Sequence, residues 1–339
     1  MGKRDKQKKN PAVRAVPTPV DEHEHVRNPG TPLELEWVRD VRVNRSAVER
    51  RTASFPGRRS IKKDWQAAWL LRAIALTDLT TLAGDDTPGR VRRLCAKARN
   101  PVQAHVLEAL GMADAGLTTG AVCVYHEMIP VALEALEGSN IPVAAVSAGF
   151  PAGLSPLPQR IKEIEASVAA GATEIDIVIN RAHLFTGNWQ AMYDEVRAFR
   201  EACGDAHLKS IIATGDLAIL RNVAKASLVC MMAGSDFIKT STGKESVNAT
   251  LPVSLVMIRM IRAYGERTGQ RVGFKAAGGI KTAKQSLSYL ALMKDELGRA
   301  YLDPELFRLG ASSLLGDIER QLEHYVTGRY SADYRHPMT

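Results

Sequence analysis

The sequence predicts a single (β/α)8 TIM barrel with an N-terminal extension. Short runs rich in β-branched residues alternate with longer amphipathic segments from about residue 64 onward. Eight such strand and helix pairs in about 260 residues match a closed barrel in size and order. A doubly wound open sheet is the alternative, but its usual glycine-rich turn is missing after the first strand candidate, where the sequence reads "TDLTTL".

The strand candidates are apolar runs of five to seven residues, as expected for parallel strands covered on both faces. Turn residues or polar segments bound each run, which separates them from the helical patterns. They are "IALTD" (74–78), "AVCVY" (121–125), "PVAAVSA" (142–148), "EIDIVIN" (174–180), "LKSIIAT" (208–214), "DFIKTS" (236–241), "RVGFKAA" (271–277) and "LFRLGA" (306–311).

The segments between these runs have helical periodicity. "PLPQRIKEIEASVAAGA" places Ile161, Ile164 and Val168 on one face and then reaches a glycine. "DLAILRNVAKASLVCMMAGS" ends in the same way at Gly234, and "TAKQSLSYLALMKDELG" ends at Gly298. Glycine is common just after the last helical turn, so these positions predict where the helices end.

The chain divides into three predicted parts. Residues 1–30 are rich in proline and charge and are expected to form a disordered basic tail. Residues 31–63 are expected to form a helical extension, and residues 64–339 the barrel with its C-terminal tail. The net charge of +8 lies partly in "KRDKQKK" of the tail, which favours a solvated arm over a nucleic-acid reader.

Several classes of protein are excluded by pattern. No apolar run is long enough to span a bilayer, and the N-terminus has no secretion signal. The four cysteines are isolated, which predicts free buried thiols and a cytoplasmic location. No cofactor and no metal site is expected, since neither HExxH nor CxxC occurs.

Three of the charged residues in strand candidates are singled out, since a charge inside a strand is costly unless it is paired. Asp176 lies between Ile175 and Ile177, Lys239 follows an apolar pair, and Lys275 lies in "RVGFKAAGG". Strands 4 and 6 fill the same interior layer of a barrel, and strand 7 adjoins strand 6. We therefore expect the three side chains to meet in the upper part of the barrel interior.

Two lysines and a carboxylate in a dry pocket favour Schiff-base chemistry. A free lysine has a pKa near 10.4, so only about one in a few thousand is the neutral amine at pH 7. Burial and a neighbouring cation both favour the amine, which attacks a carbonyl carbon. The protonated imine is an electron sink for making or breaking a carbon–carbon bond, which is metal-independent aldolase chemistry.

Glycine-rich segments follow strands 7 and 8, the two positions at which such barrels commonly bind phosphate. Ser312 and Ser313 precede a helix whose N-terminus would attract an anion. The expected phosphate-binding residues also include Gly278, Gly279 and Gly310. Lys244, in "TGKE", is either a further phosphate contact or a solvated loop lysine; Ile238 and Glu245 rule out a nucleotide P-loop.

These motifs resemble the deoxyribose-phosphate aldolases, class I aldolases on a TIM barrel. The resemblance covers roughly residues 65–334 and looks like the long form found in animals and some bacteria. It is carried by "LTDLTTL", "EIDIVIN", "FIKTSTGK", "VGFKAAGGIKTA" and "FRLGASSLL". One departure is Ala276, where many members have proline.

The resemblance implies a function: reversible cleavage of 2-deoxy-D-ribose 5-phosphate to D-glyceraldehyde 3-phosphate and acetaldehyde, in deoxyribonucleotide catabolism. Lys239 would form the Schiff base, and Lys275 would perturb it and assist proton transfer. Asp176 would act with Lys275 through a bound water, and Asp78 would support the network around Lys275 or the substrate. Cys123 would lie near the pocket mouth, as a small core residue.

Other implications and alternatives stay open. The partner implied is a small phosphorylated sugar, with no nucleic acid and no membrane, in a homo-oligomer that is a dimer or a tetramer. In some members a terminal tyrosine reaches the site, and Tyr330 and Tyr334 are the candidates here. The alternatives are another Schiff-base barrel enzyme, such as a longer-sugar aldolase, and a non-catalytic scaffold whose basic tail binds an acidic partner.

Overall fold

Eight parallel strands close into a barrel in the computed structural model, which describes residues 27–58 and 61–336. The strands pair in sequence order, and β8 returns to β1. The predicted barrel is therefore confirmed and the open sheet is wrong. The strands are β1 (Thr77–Thr80), β2 (Ala121–Tyr125), β3 (Val143–Ser147), β4 (Glu174–Val178), β5 (His207–Ile211), β6 (Phe237–Lys239), β7 (Gly273–Ala277) and β8 (Phe307–Ala311).

Helices cover the outside of the barrel in the described part of the chain. None of them is long and apolar enough to cross a membrane. They are α1 (Leu35–Asp40), α2 (Arg45–Ala53), α3 (Asp64–Ala75), α4 (Pro88–Arg99), α5 (Ala104–Ala109), α6 (Ile129–Ala135), α7 (Leu157–Ala169), α8 (Arg181–Phe185), α9 (Trp189–Ala202), α10 (Leu220–Met232), α11 (Leu251–Thr268), α12 (Ala283–Leu297) and α13 (Leu314–Thr327).

Local sequence explains where several helices start. Thr250 caps α11 and Pro252 occupies its first turn, where a missing N–H costs nothing. Thr282 and Gln285 form a capping box at the start of α12. These caps hold the loops that follow β6 and β7, which are the loops expected to contain the functional residues.

The predicted first strand begins too early. Ile74 and Ala75 belong to the last turn of α3, and the strand itself starts at Thr77. Ile74 is fully buried on the apolar face of that helix, which continues the helical pattern past the point where a β-branched run suggested a strand. The other strands lie within the predicted segments or start one residue before them.

The N-terminal extension packs against the barrel through two short helices, and α3 begins at Asp64. The predicted disordered tail falls mostly outside the described residues, but residues 27–30 are described and lie against the barrel. The side-chain amide of Asn28 donates to the carbonyls of Met231 (2.8 Å) and Ser235 (2.9 Å). The docked segment therefore begins before the predicted boundary at residue 30, because Asn28 and Arg27 have partners that lie far away in the sequence.

Candidate active site

The two lysines predicted to meet do so inside the barrel. Lys239 is the last residue of β6, and Lys275 lies beside it in the register of β7. Their ammonium nitrogens donate to the same oxygen, Oδ2 of Asp176 on β4, each over 2.7 Å. Lys239 is 2% exposed and Lys275 is 1% exposed, so both nitrogens lie in a site that is nearly closed to water.

Asp78 on β1 joins the same cluster. Its Oδ2 lies 2.6 Å from the Nζ atom of Lys275, and the side chain is fully buried. The structure thus places all four predicted catalytic residues, on β1, β4, β6 and β7, around one point of the barrel interior. Asp78 contacts Lys275, which was one of the two positions expected for it.

Three further charged residues belong to the cluster and were missed. Arg308 on β8 donates from Nη1 to Oδ1 of Asp78 (2.7 Å) and from Nη2 to Oε1 of Glu174 (2.8 Å). Glu174 on β4 also accepts a hydrogen bond from Lys209 on β5. The Nζ atom of Lys209 in turn lies 3.7 Å from Oδ1 of Asp176.

The signal for these residues was present in the sequence. Lys209 lies in "LKSII", Arg308 lies in "FRLGA", and Glu174 stands two residues before Asp176 and so shares its face of the strand. The rule that selected Lys239, a charge inside an apolar strand, selects these as well. Applied to every strand candidate, it finds the whole cluster.

Of the expected phosphate-binding residues after β7 and β8, four lie in loops at the rim of the barrel and one lies within a strand. Gly278 (φ 82°) and Gly279 (φ 79°) form the turn after β7, and Ser312 and Ser313 lie exposed before α13, with Ser313 at its N-cap. Gly310 is instead buried within β8. A Cβ atom there would lie 2.9 Å from the Cβ of Ala277 and 3.2 Å from the Cε of Lys275.

Lys244 lies exposed in the loop between β6 and α11. Its Nζ atom donates to the carbonyl of Leu82 (2.8 Å), in the loop after β1. Glu245, which stands where a P-loop would have Ser or Thr, accepts hydrogen bonds from the backbone N–H of Thr242 (3.0 Å) and of Gly243 (3.2 Å). This carboxylate therefore fixes the turn that carries Lys244.

A family model described as DeoC/LacD family aldolase matches residues 72–314, which include the whole cluster. The chain belongs to this aldolase family. The deoxyribose-phosphate aldolase of Mus musculus is 60% identical over 312 residues, 91% of this chain and 98% of that protein. The deoxyribose-phosphate aldolase of Homo sapiens is 58% identical over 314 residues, 92% of this chain and 99% of that protein.

A solved structure supports the barrel of this aldolase independently. It is described as a unique tetrameric structure of deoxyribose phosphate aldolase from Aeropyrum pernix. It matches with a TM-score of 0.53 and 18% identity, over 85% of this chain and all of that chain. At this identity the likeness concerns the fold.

The carboxylate and the second lysine of the aldolase site hold each other ionised. Burial alone would raise the pKa of Asp176, but Lys239, Lys275 and Lys209 outweigh it and hold that pKa well below its usual range. Burial alone would lower the pKa of Lys275, but Asp176 and Asp78 raise it well above its usual value. Lys275 is therefore protonated beside Lys239 before substrate binds.

The remaining charged groups are held in the same way. Burial opposes the charge of Asp78, but Lys275 and Arg308 lower its pKa below the usual range. Arg308 and Lys209 likewise lower the pKa of Glu174 against the effect of burial. The two carboxylates raise the pKa of Arg308, which burial alone would lower. Asp78, Glu174, Asp176, Lys275 and Arg308 are therefore ionised groups that compensate one another.

Cys123 lies inside the barrel rather than at its rim. It is fully buried with Ala144 and Val146, and burial raises the pKa of its thiol. These observations fit the small core residue expected from the sequence. In the described part of the chain, no group of three or more His, Cys, Asp or Glu side chains is arranged to hold a metal ion.

The two C-terminal tyrosines lie away from the cluster. Tyr330 is 65% exposed and stacks on His324, near the carboxyl end of α13, with ring centroids 3.9 Å apart. Tyr334 is 84% exposed. Since α13 starts at the rim that carries the site, its carboxyl end lies toward the opposite end of the barrel. Neither side chain contacts the lysines in this structure.

Proposed function

We propose that this aldolase cleaves 2-deoxy-D-ribose 5-phosphate reversibly to D-glyceraldehyde 3-phosphate and acetaldehyde. The observation that carries the proposal is the buried contact of Lys239 and Lys275 with one oxygen of Asp176. The identity of 60% to a deoxyribose-phosphate aldolase supports the same substrate. The substrate class is therefore a small phosphorylated sugar.

The proposed reaction begins with attack of the neutral Lys239 amine on the aldehyde carbon of the open-chain sugar. Loss of water from the resulting carbinolamine gives an iminium ion. The C3 hydroxyl then loses its proton, the C2–C3 bond breaks, and glyceraldehyde 3-phosphate leaves. The bonding electrons remain as the enamine, which is protonated to the acetaldehyde iminium and hydrolysed. Hydrolysis takes up the water that was lost from the carbinolamine, and the electron pair of the broken C2–C3 bond ends in a new C–H bond of acetaldehyde.

We assign the proton transfers to Asp176 and Lys275, with Asp78 holding Lys275 in place. Asp176 contacts both lysine nitrogens, so it lies within reach of the carbinolamine oxygen and of a water between them. Lys275 supplies a fixed positive charge that disfavours an ammonium ion at Lys239. A mutant in which Asp176 is replaced by Asn should therefore lose about 10²- to 10⁴-fold in kcat.

The substrate phosphate is assigned to the loops after β7 and β8. Gly278 and Gly279 form a turn in which Gly279 is exposed and the N–H of Gly278 donates to the carbonyl of Gly310 (3.4 Å). Ser313 lies at the N-cap position of a 14-residue helix whose N-terminus favours an anion. Lys244 lies on the neighbouring loop as a point charge. The aldehyde would then lie at Lys239 in the interior and the phosphate at the rim.

Trapping of the Schiff base tests the proposal. Incubation with acetaldehyde and cyanoborohydride should attach an N-ethyl group to Lys239, found by peptide mass mapping. The Lys239→Met variant should lose both the adduct and turnover, while EDTA should leave turnover intact. A Lys239 peptide of unmodified mass in the wild-type protein would reject the proposal, and turnover of fructose phosphates in preference to deoxyribose phosphate would favour a longer-sugar aldolase.

We further propose that the chain assembles with copies of itself. The support is the Aeropyrum pernix relative, which is described as tetrameric. Light scattering coupled to gel filtration should give the mass of a dimer or a tetramer rather than 36.9 kDa. A monomer mass at micromolar concentration would contradict this proposal.

The cytoplasmic location stays a prediction.

A further inference from the structure

The charged groups beneath Lys239 form a closed ring in which positive and negative side chains alternate. Each carboxylate lies between two cations, and each cation lies between two carboxylates. All six residues are at least nine-tenths buried. We call them the buried ring; in order around it they are Asp176, Lys275, Asp78, Arg308, Glu174 and Lys209.

The buried ring is electrically neutral, since it contains three carboxylates and three cations. Lys239 lies outside it, and among the described residues its ammonium group pairs with Oδ2 of Asp176 alone, an oxygen that Lys275 also contacts. A seventh, positively charged member would leave the cluster with a net charge in a site that is almost fully buried. Such a charge is costly in a low-dielectric interior.

We propose that the buried ring favours the neutral amine at Lys239, so that Lys239 and not a ring member gives up its proton. Lys209, Glu174 and Arg308 act as positioning residues for this nucleophile. The inference rests on the proposed function, because it explains how that site presents a neutral amine. It assigns a role to three residues that do not touch the reacting atoms.

The charges that face Lys239 come from several strands. Asp176 approaches it from β4, and Lys275 approaches it from the neighbouring β7. Lys209 approaches the far oxygen of Asp176 from β5, and the buried thiol of Cys123 lies on the β2 side. Lys209 thus competes with Lys239 for the negative charge of Asp176, which weakens the attraction that would keep a proton on Lys239.

The three cations of the buried ring cannot replace Lys239 as the neutral amine. Arg308 is a guanidinium between the two buried carboxylates of Asp78 and Glu174, with the partly exposed carboxylate of Glu305 at 3.9 Å, and all three raise its pKa. Lys275 has two carboxylate partners, Asp78 at 2.6 Å and Asp176 at 2.7 Å, which keep it protonated. Lys209 bonds Glu174 and also faces Asp176. Lys239, with a single shared partner, is the exception.

Stability alone gives a poor account of the buried ring. Replacement of buried ion pairs by apolar side chains of similar volume is often neutral or stabilising, because desolvation offsets the attraction. A ring of six buried charges next to the nucleophile is therefore better explained by its effect on the protonation of Lys239.

Variants that change the charge of the ring with opposite signs test the inference. Lys209→Met and Arg308→Met remove a positive charge, so Lys239 should keep its proton to higher pH. The acid limb of the rate of cyanoborohydride trapping against pH should then move up by about one unit. Glu174→Gln removes a negative charge and should move the same limb down by about one unit.

The control is Lys162→Met, an exposed lysine on α7, which should leave the acid limb where it is in the wild type. Circular dichroism confirms that each variant is folded, and either cation variant suffices if the other does not fold. A purely structural ring would lower the trapping rate in all three variants without moving the limb in opposite directions. That result, or a downward shift in a folded cation variant, would overturn the inference.

The same experiment separates this inference from the proposed function. If the wild-type protein is not trapped at Lys239, the proposed Schiff-base mechanism fails and the ring has no nucleophile to serve. If the wild-type protein is trapped and the limb does not move, the mechanism stands and the role of the buried ring is rejected.

Discussion

At the scale of single residues, the site depends on how closely side chains and backbone approach Lys275. Gly310, which the sequence predicts to be a phosphate-binding residue, lies near the end of β8 and gives room to the Lys275 side chain. Any larger residue there would push against a lysine that is held by two carboxylates. We therefore assign the missing side chain at position 310 to the geometry of the catalytic cluster.

The Gly310→Ala variant tests this assignment. Its Cβ would lie 2.9 Å from Ala277 and 3.2 Å from the Cε of Lys275, which overpacks the interior. We expect the free energy of unfolding to fall by about 1–3 kcal/mol and kcat to fall as Lys275 is displaced. Steady-state kinetics and denaturant unfolding check both. A raised KM with unchanged kcat would instead support the predicted contact between Gly310 and the substrate phosphate.

Lys244 provides the matching test of phosphate binding. Its Nζ contacts the carbonyl of Leu82 in this structure, so it already lies between two loops of the rim. Lys244→Ala should raise KM for deoxyribose 5-phosphate by about 10- to 100-fold, since a hydrogen bond to a charged group contributes about 1.5–3 kcal/mol. Unphosphorylated deoxyribose serves as the control substrate. An equal effect on both sugars would mean that Lys244 acts on the loops and not on the phosphate.

At the scale of elements, the N-terminal segment is tied to the start of β6, the strand that carries Lys239. The backbone N–H of Asn28 donates to Oδ1 of Asp236 (3.0 Å), and Arg27 pairs with Oδ2 of the same carboxylate (2.8 Å). Asp236 also accepts from the backbone N–H of Leu208 (2.8 Å) on β5. The segment therefore joins the bases of two strands that form the site.

Two deletions distinguish this docked segment from the preceding residues. Removal of residues 1–26 should leave turnover and melting temperature unchanged. Removal of residues 1–30 also removes Arg27 and Asn28, leaves Asp236 with fewer partners and should lower the melting temperature by several degrees. Asn28→Ala in the full chain should have a smaller effect in the same direction. Equal melting temperatures for the two truncated proteins would show that the contacts at Asp236 add no stability.

At the scale of the whole molecule, the barrel closes around ionised carboxylates, which makes its stability depend on pH. The pKa values of Asp78, Glu174 and Asp176 are all lowered in the folded protein. A carboxylate with a lowered folded-state pKa stabilises the fold above its unfolded-state pKa, near 4, and the stabilisation disappears as the pH falls further. The closed barrel should therefore be sensitive to acid.

Denaturant unfolding between pH 7 and pH 3 measures this dependence. The free energy of unfolding should stay level down to about pH 5 and then fall steadily. The reason is that the carboxylates bind protons in the unfolded chain at pH values where their lowered pKa keeps them ionised in the folded protein. The Glu174→Gln variant should show a shallower fall if it remains folded. A free energy that stays level to pH 3 would contradict the ionised state of the ring.

The sequence alone predicted much of the fold and the centre of the site. The alternation of strand and helix patterns gave the closed barrel, and a charge in an apolar strand identified Asp176, Lys239 and Lys275. Both signals are local, because a strand buried on two faces reveals an unusual residue without reference to any partner. The same local rule, applied to β5 and β8, would have added Lys209 and Arg308.

Only the tertiary structure decided how these charges are paired. Glu174 and Arg308 are 134 positions apart, and Arg308 and Asp78 are 230 positions apart, so no local pattern connects them. Closure of β8 on β1 brings them together and completes the ring. Other tertiary contacts set Gly310 against Lys275, across the neighbouring strands β7 and β8, and dock Asn28 at the start of β6. The sequence by itself determined which residues are charged and buried, whereas barrel closure decided which charges meet and which lysine is left over.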